Sequence, residues 1–270
     1  MCGIAGFSRA HDVDADASML VRLLIAGLAE RGEDACGYGW RDRNGSIRIV
    51  KRSMTPLQFL SEVSVEVPPT AVDVIVHVRD HTKGRPSIDG NNHPIRHGAI
   101  VGVHNGVIQN DEELFEQQGR QRAMAGTSVD SEAIFMLLDA MPTYDECFPL
   151  LRGSYSVAFL DERAPDGGIH VVRGRGRPLI HGSAPGLALF ASTLDALEFV
   201  GTAIGQEIRT RSQRKGTAVV MRDGHIGQWR PIQVSPFRER PTLAYDPQHD
   251  TAIRARRLVE AQLAQRQESA

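Results

Sequence analysis

The chain opens on an unbroken apolar run. Residues 2–8 read as a short strand. Leu20, Leu23, Leu24, Gly27 and Leu28 then recur at helical spacing, with Asp16 or Ser18 as cap and Gly32 as stop. Strands are expected at 36–40 and 46–51, and a short helix at 56–62 with Pro56 in its first turn. Residues 72–78 and 99–104 are rich in β-branched side chains. Between them lies a Gly/Pro/His/Asn-rich loop, 79–98, and a loop that long inside a domain is usually functional. Helices are expected at 111–118, capped by Asp111 and stopped by Gly119, and at 130–141. Further strands fall at 154–160, 169–173 and 187–192, followed by a helix at 193–200. Residues 217–221 and 225–229 flank Arg222-Asp223-Gly224, a hairpin turn. After Pro231 the chain turns polar and proline-rich, and it closes on a helix at 250–265. Strands in runs and helices in runs predict an α+β fold with mainly antiparallel sheets, not a doubly wound parallel one.

Composition narrows the classes. The 270 residues suffice for one domain with an appendage, and 41% hydrophobic with 24% charged is ordinary for a soluble protein. A net charge of -2 recruits neither nucleic acid nor anionic membrane. No apolar run approaches a membrane span, and the N-terminus lacks a signal-peptide pattern. Cys2, Cys36 and Cys147 form no disulfide framework and have no zinc-finger spacing, which suits a reducing, cytoplasmic setting. His77, His81, His93, His97 and His104 crowd together, but their two His-x3-His spacings fall on a strand end and a loop, so no metal is expected. Arg173-Gly174-Arg175-Gly176-Arg177 has no helix after it, so no dinucleotide cofactor is expected either. The basic stretch 209–215 reads as a solvated turn.

The candidate chemistry starts at Cys2. Methionine aminopeptidase removes Met1 when so small a residue follows, leaving a thiol and a free α-amine on one residue. That is a nucleophile with its own base. Asn105 and Gly106, at the end of a strand, could direct a side-chain amide and a backbone N–H at an oxyanion; they could also be a plain Asn-Gly turn. Arg79 could grip a carboxylate, or be a solvated strand end. Asp130 could bind an ammonium, or cap its helix. Taken together, these groups suit an amino acid whose side chain is an amide, which is glutamine or something close to it.

Ordered stretches strengthen this: Cys2-Gly3-Ile4-Ala5-Gly6, Arg31-Gly32-Glu33-Asp34-Ala35-Cys36-Gly37, Val78-Arg79-Asp80-His81-Thr82-Lys83-Gly84, Asn92-His93-Pro94, Val103-His104-Asn105-Gly106-Val107-Ile108 and Ser128-Val129-Asp130-Ser131-Glu132. With Leu151 to Ser156, Arg177-Pro178-Leu179 and Ala191-Ser192 they resemble the class II glutamine amidotransferase domain, an N-terminal-nucleophile hydrolase. The resemblance runs over about residues 2–230. It implies a four-layer αββα sandwich, with a glutaminase domain at 2–231 and a C-terminal extension at 232–270. It also implies Cys2 as nucleophile, Asn105 and Gly106 as oxyanion hole, Arg79 and Thr82 at the glutamine carboxylate, Asp130 at the ammonium, and Arg31 and Asp34 as structural support. Asp80 and Lys83 depart from glucosamine-6-phosphate synthase, which has tryptophan and histidine there. No synthase region follows residue 230, so the expectation is a stand-alone glutaminase that hands ammonia to a separate synthase. The alternatives are an amide hydrolase for another small amide or γ-glutamyl compound, and a non-catalytic regulatory descendant.

Overall fold

In the computed structural model, which describes residues 2–13, 15–42, 44–164, 167–236 and 250–268, fourteen strands form two sheets. The first half of the chain runs β1 (Gly3–Arg9), α1 (Ala17–Gly27), β2 (Ala35–Arg41), β3 (Ile47–Arg52), α2 (Pro56–Glu62), β4 (Asp73–Arg79), β5 (Ile95–His97), β6 (Ile100–Ile108), α3 (Asp111–Gln118) and α4 (Ser131–Ala140). The second half runs β7 (Gly153–Asp161), β8 (Ile169–Arg173), β9 (Ile180–Ala184), β10 (Leu187–Ala191), α5 (Leu194–Ile204), β11 (Arg209–Ser212), β12 (Thr217–Arg222), β13 (His225–Ile226), β14 (Arg230–Pro231) and α6 (Asp250–Glu268). One sheet has the order β11-β9-β10-β1-β4-β2-β3; the other runs β13-β12-β8-β7-β6-β5, with β14 beside β12. The ladders are antiparallel.

Alternation along the strands sorts the core into layers. Ile4 and Ile75 face the second sheet and meet Val101, Val103, Leu160, Phe190 and Val219. Their neighbours Phe7, Val74 and Val76 face the other way, onto Leu20, Leu24, Leu197 and the α6 side chains Ala252 and Val259. On the second sheet, Val157 and Phe159 pack under Ile134, Phe135 and Leu138 of α4. Helices therefore cover both outer faces, which gives the αββα sandwich. Strands buried on both faces read as near-continuous apolar runs rather than alternating ones, which is why β1, β4 and β7 stand out in the sequence.

Several expectations need correction. Asp16, not Ser18, caps α1, its carboxylate accepting from Met19 N at 3.0 Å. The helix gives way at Gly27 to a short 3-10 turn, Ala29–Arg31, and Gly32 ends that turn. A Cβ on Gly32 would lie 2.2 Å from the Arg79 carbonyl oxygen, so glycine lets this turn touch the end of β4. Asn110, not Asp111, occupies the cap of α3, and the Asp111 carboxylate instead binds Lys83 and Arg122. The 225–229 strand shrinks to His225–Ile226. The 209–215 turn is in its first half an edge strand, β11. The closing helix, α6, packs on its own domain, against α1 and α2.

Candidate active site

The alternation that builds the inner core also builds the site. Continuing each strand two residues past its last inner core position reaches a polar side chain: Cys2 before Ile4, Ser192 after Phe190, and Asn105 after Val103. On β4 the inner face runs Ile75, His77, Arg79. These four segments meet at one end of the gap between the sheets; Asn105 and Gly106 lie within β6, which runs on to Ile108, and not at a strand end or in a turn. Asn105 Nδ2 donates to Ser192 Oγ at 3.3 Å, and Ser192 Oγ in turn accepts from Ile4 N at 3.0 Å. One hydroxyl thus ties the candidate oxyanion donor to the strand that carries the candidate nucleophile. Ser192 falls in a matching stretch of sequence, but nothing in the sequence assigns it this bridge.

β5 pairs only with Ile100, Val101 and Gly102, so the β6 edge beyond it is open. The groups on that edge go to the site instead. The His104 carbonyl accepts from His77 Nε2 at 3.0 Å, and Ile108 N donates to Asp130 Oδ2 at 2.6 Å. Gly106 lies between them. Its partner across the ladder, Tyr155, spends its N–H and C=O on the 174–175 segment, so the Gly106 N–H points away from β7 onto the same open edge. Gly106 has φ +153, and a Cβ there would lie 1.9 Å from the Ser154 carbonyl oxygen. Only glycine fits.

Cys2 is half-buried, and its Sγ donates to the Asp80 carbonyl at 3.3 Å. Burial raises its pKa above the ordinary thiol value, although the Arg79 charge pulls the other way. The resting thiol is therefore protonated at neutral pH and needs a base. The nearby imidazoles are poorly suited. Burial lowers His77 and His104 to about 3 and His93 well below its usual value. His77 stacks on His93 at 4.1 Å and spends its Nε2 proton on the His104 carbonyl, while His104 Nδ1 faces Ser131 Oγ at 2.8 Å. These rings are packing elements. Cys36 and Cys147 are buried, and burial pushes both thiols up, so neither is a competing nucleophile.

Arg79 is 2% exposed. Its guanidinium donates to Asn92 Oδ1 at 2.6 Å and to the carbonyls of Lys83 at 2.9 Å and Gly84 at 2.6 Å. The solvated-arginine alternative therefore fails. Burial lowers its pKa, while Cys2, Asp34 and Asp130 favour its charge, which places all four groups in one electrostatic neighbourhood. Asp130 occupies the cap position of α4 but makes no capping bond. Its buried carboxyl is raised to about 6 by desolvation, against the bond from Ile108 N. The helix-cap alternative fails with it. A buried carboxylate with one donor has room for a cation.

The remaining sequence candidates divide. Arg31 Nε and Nη2 each donate to the Cys2 carbonyl at 3.4 Å. Asp34 does not touch Cys2; it accepts from His81 N at 2.7 Å and faces His81 Nδ1 at 2.8 Å, pinning the loop whose Asp80 carbonyl receives the thiol. Burial opposes its charge, but the His81 bonds prevail and lower its pKa. Thr82 is exposed on the same loop. Lys83 bonds Asp111 at 2.5 Å and Glu112 at 3.3 Å, fastening the loop to α3. His97 pairs with Glu132 at 3.1 Å, and among the described residues no cluster of His, Cys, Asp and Glu is arranged to hold a metal.

Comparisons with known proteins point the same way. Residues 80–199 match the glutamine amidotransferase domain family, a span that includes Asn105, Gly106 and Asp130. Over 208 residues the chain is 31% identical to glutamine–fructose-6-phosphate aminotransferase (isomerizing) of Escherichia coli strain K12, and equally to that of Shigella flexneri. The aligned stretch is 73% of this chain and 32% of those relatives, so the chain spans about a third of their length. Among solved structures, glutamine phosphoribosylpyrophosphate amidotransferase from B. subtilis superposes with a TM-score of 0.66 at 19% identity, over 85% of this chain and 49% of that one. A glutamine aminotransferase class-II domain protein from Silicibacter pomeroyi gives 0.50 at 14% identity, over 86% of this chain and 100% of that one. At such identities the two structures speak to the fold alone.

Proposed function

We propose that this chain, which carries a class II glutamine amidotransferase domain, uses it to hydrolyse L-glutamine to glutamate and ammonia through a thioester on Cys2. Residues 2–231 are assigned to the glutaminase domain and 232–270 to a C-terminal extension. Once Met1 is removed, the Cys2 α-amine takes the thiol proton through a water molecule, and Sγ attacks the side-chain carbonyl carbon of glutamine. The oxyanion of the tetrahedral intermediate accepts from Asn105 Nδ2 and the Gly106 N–H. The carbon–nitrogen bond breaks as the proton held on the α-amine passes to the leaving nitrogen, and ammonia departs. Water then hydrolyses the thioester, releasing glutamate and restoring the thiol. No cofactor is required.

Arg79 holds the substrate carboxylate, with Thr82 beside it, and Asp130 holds the ammonium. Arg31 fixes the Cys2 carbonyl and Asp34 fixes the loop through His81. The observation that carries the reading is Asp130: a buried carboxylate at a helix start that makes no cap bond is costly without a cationic partner. The ammonia serves a separate synthase in the cytoplasm.

The test compares free glutamine with glutamine amidated at its α-carboxyl. Wild type should prefer the free form by at least about tenfold in kcat/KM, because a buried Arg79 left without its carboxylate is penalised. Equal rates would refute the head-group assignment and favour an amide hydrolase acting on another small amide or γ-glutamyl compound.

A further inference from the structure

A second cleft opens at the lateral edge of the sandwich, where β9 and β11 of one sheet part from β12 and β13 of the other. Its volume is about 860 Å³, within the range of small-molecule sites. Arg209, Arg211 and Arg214 line it, and no carboxylate does. Register sets two of these arginines: Arg209 lies opposite Ser183 and Arg211 opposite His181, so both share the inward face of β9. β11 ends its sheet, and all four of its residues are exposed. Among the described residues the three arginines have no carboxylate partner; Arg211 instead lies 4.4 Å over the Trp229 ring.

The back of the cleft is polar and buried. His181, 1% exposed, bonds Gln213 Oε1 through Nε2 at 2.6 Å. Gln213 Nε2 donates to the Thr217 carbonyl at 2.9 Å, so Gln213 Oε1 is an acceptor and the imidazole proton must sit on Nε2. His181 Nδ1 is then a bare acceptor, and it has no partner. Burial also lowers its pKa to about 4, so the ring is neutral. That nitrogen is sealed from solvent, as are the unpartnered ring nitrogens of His77, His93 and His104, so it belongs to the polar back wall of the cleft and not to its ligand-facing surface.

We propose that this cleft binds a nucleoside phosphate: its phosphates on Arg209, Arg211 and Arg214, and its flat ring on Trp229. Each part answers one feature of the cleft. Guanidinium forks with no carboxylate partner among the described residues suit phosphate oxygens, and Arg211, on turning to a phosphate, would leave the Trp229 face it now covers to the flat ring. A single nucleotide fits better than a nucleic-acid strand, because the chain's net charge of -2 provides no field along a polyanion.

The test is calorimetric titration of the full chain with adenosine 5′-diphosphate, adenosine, inorganic phosphate and a ten-residue thymidine oligonucleotide. The diphosphate should bind one to one with Kd below about 1 mM. Adenosine and phosphate should each bind at least about tenfold more weakly, because each meets only half of the cleft. Arg211→Ala and Trp229→Ala should each weaken the diphosphate by about tenfold or more, with the melting temperature of Arg211→Ala unchanged because that position is exposed. Glutaminase activity of Arg211→Ala should equal wild type, so this outcome is independent of the Cys2 chemistry. Absence of diphosphate binding, equal affinity for phosphate, indifference to both substitutions, or tighter binding of the oligonucleotide would each overturn the proposal.

Discussion

Arginines on the inner faces of the strands end in opposite circumstances. At the Cys2 end, Arg79 is sealed, and Asn92, Lys83 and Gly84 accept from its guanidinium before any substrate arrives. At the β9–β11 edge, Arg209 and Arg211 stand at the rim with no carboxylate to answer them among the described residues. The lesson concerns preorganisation. Where chemistry must occur, donors are fixed in advance, so little reorganisation is needed as charge develops. Where only binding is at stake, an open rim can leave the ligand to complete the partners.

The contrast is tested most severely at Asn105. Its amide is already held by Ser192. Asn105→Ala should lower kcat for glutamine by about 10²–10³-fold with KM little changed, the mark of a donor acting on the transition state. A loss confined to KM would assign Asn105 to ground-state binding instead.

Asp130 comes next, because it sets function against stability. Its folded pKa, about 6, lies above the ordinary carboxyl value of 3.8. Ionised Asp130 therefore weakens the empty fold at neutral pH, and that penalty fades as pH falls from about 6 toward 4. Asp130→Asn should raise the unfolding free energy at pH 7 by about 1–3 kcal/mol, on the order of the two-unit shift, while lowering kcat/KM for glutamine at least about tenfold. The charge needed to hold the ammonium is lost below pH 6, so wild-type kcat/KM should fall along an acid limb near that value, and the variant should lack it. A variant that is less stable yet keeps the limb would mean that Asp130 is structural.

The smallest expected effect lies in the loop. Lys83 is partly exposed and ties the loop to Asp111 and Glu112. Such a pair is worth about 1 kcal/mol or less. Lys83→Ala should raise KM a few-fold and leave kcat near wild type; an effect as large as that of Asn105→Ala would show that the tether shapes the transition state.

Much of this was legible in the sequence, for reasons that differ by element. β1, β4, β6 and β7 are buried on both faces, and their apolar runs declare them. Cys2, Arg79, Asn105 and Asp130 stood in ordered motifs, and the structure gathers them at one end of the inter-sheet gap. β11 escaped because an edge strand of Arg-Thr-Arg-Ser, exposed throughout, carries no apolar alternation. β9 escaped because Gly182 and Ser183 interrupt its pattern. β5 lay hidden inside the 79–98 loop, and its three-residue length is what opens the β6 edge to the site. That Asp130 makes no cap bond could not be read locally, because the group that donates to its carboxylate is Ile108 N on a different element. Asp111 was misread for the same reason: Lys83 and Arg122, distant in sequence, claim its carboxylate.

The central claim is that Cys2, as the first residue of the mature chain, is the nucleophile. Its most direct test is to incubate the purified protein with a diazo-ketone analogue of glutamine and map the adduct by intact-mass and peptide mass spectrometry. The account predicts a chain lacking Met1, one adduct per chain on Cys2, and loss of glutaminase activity in step with labelling. An adduct on Cys36 or Cys147, or glutamine turnover by protein that retains Met1, would contradict it.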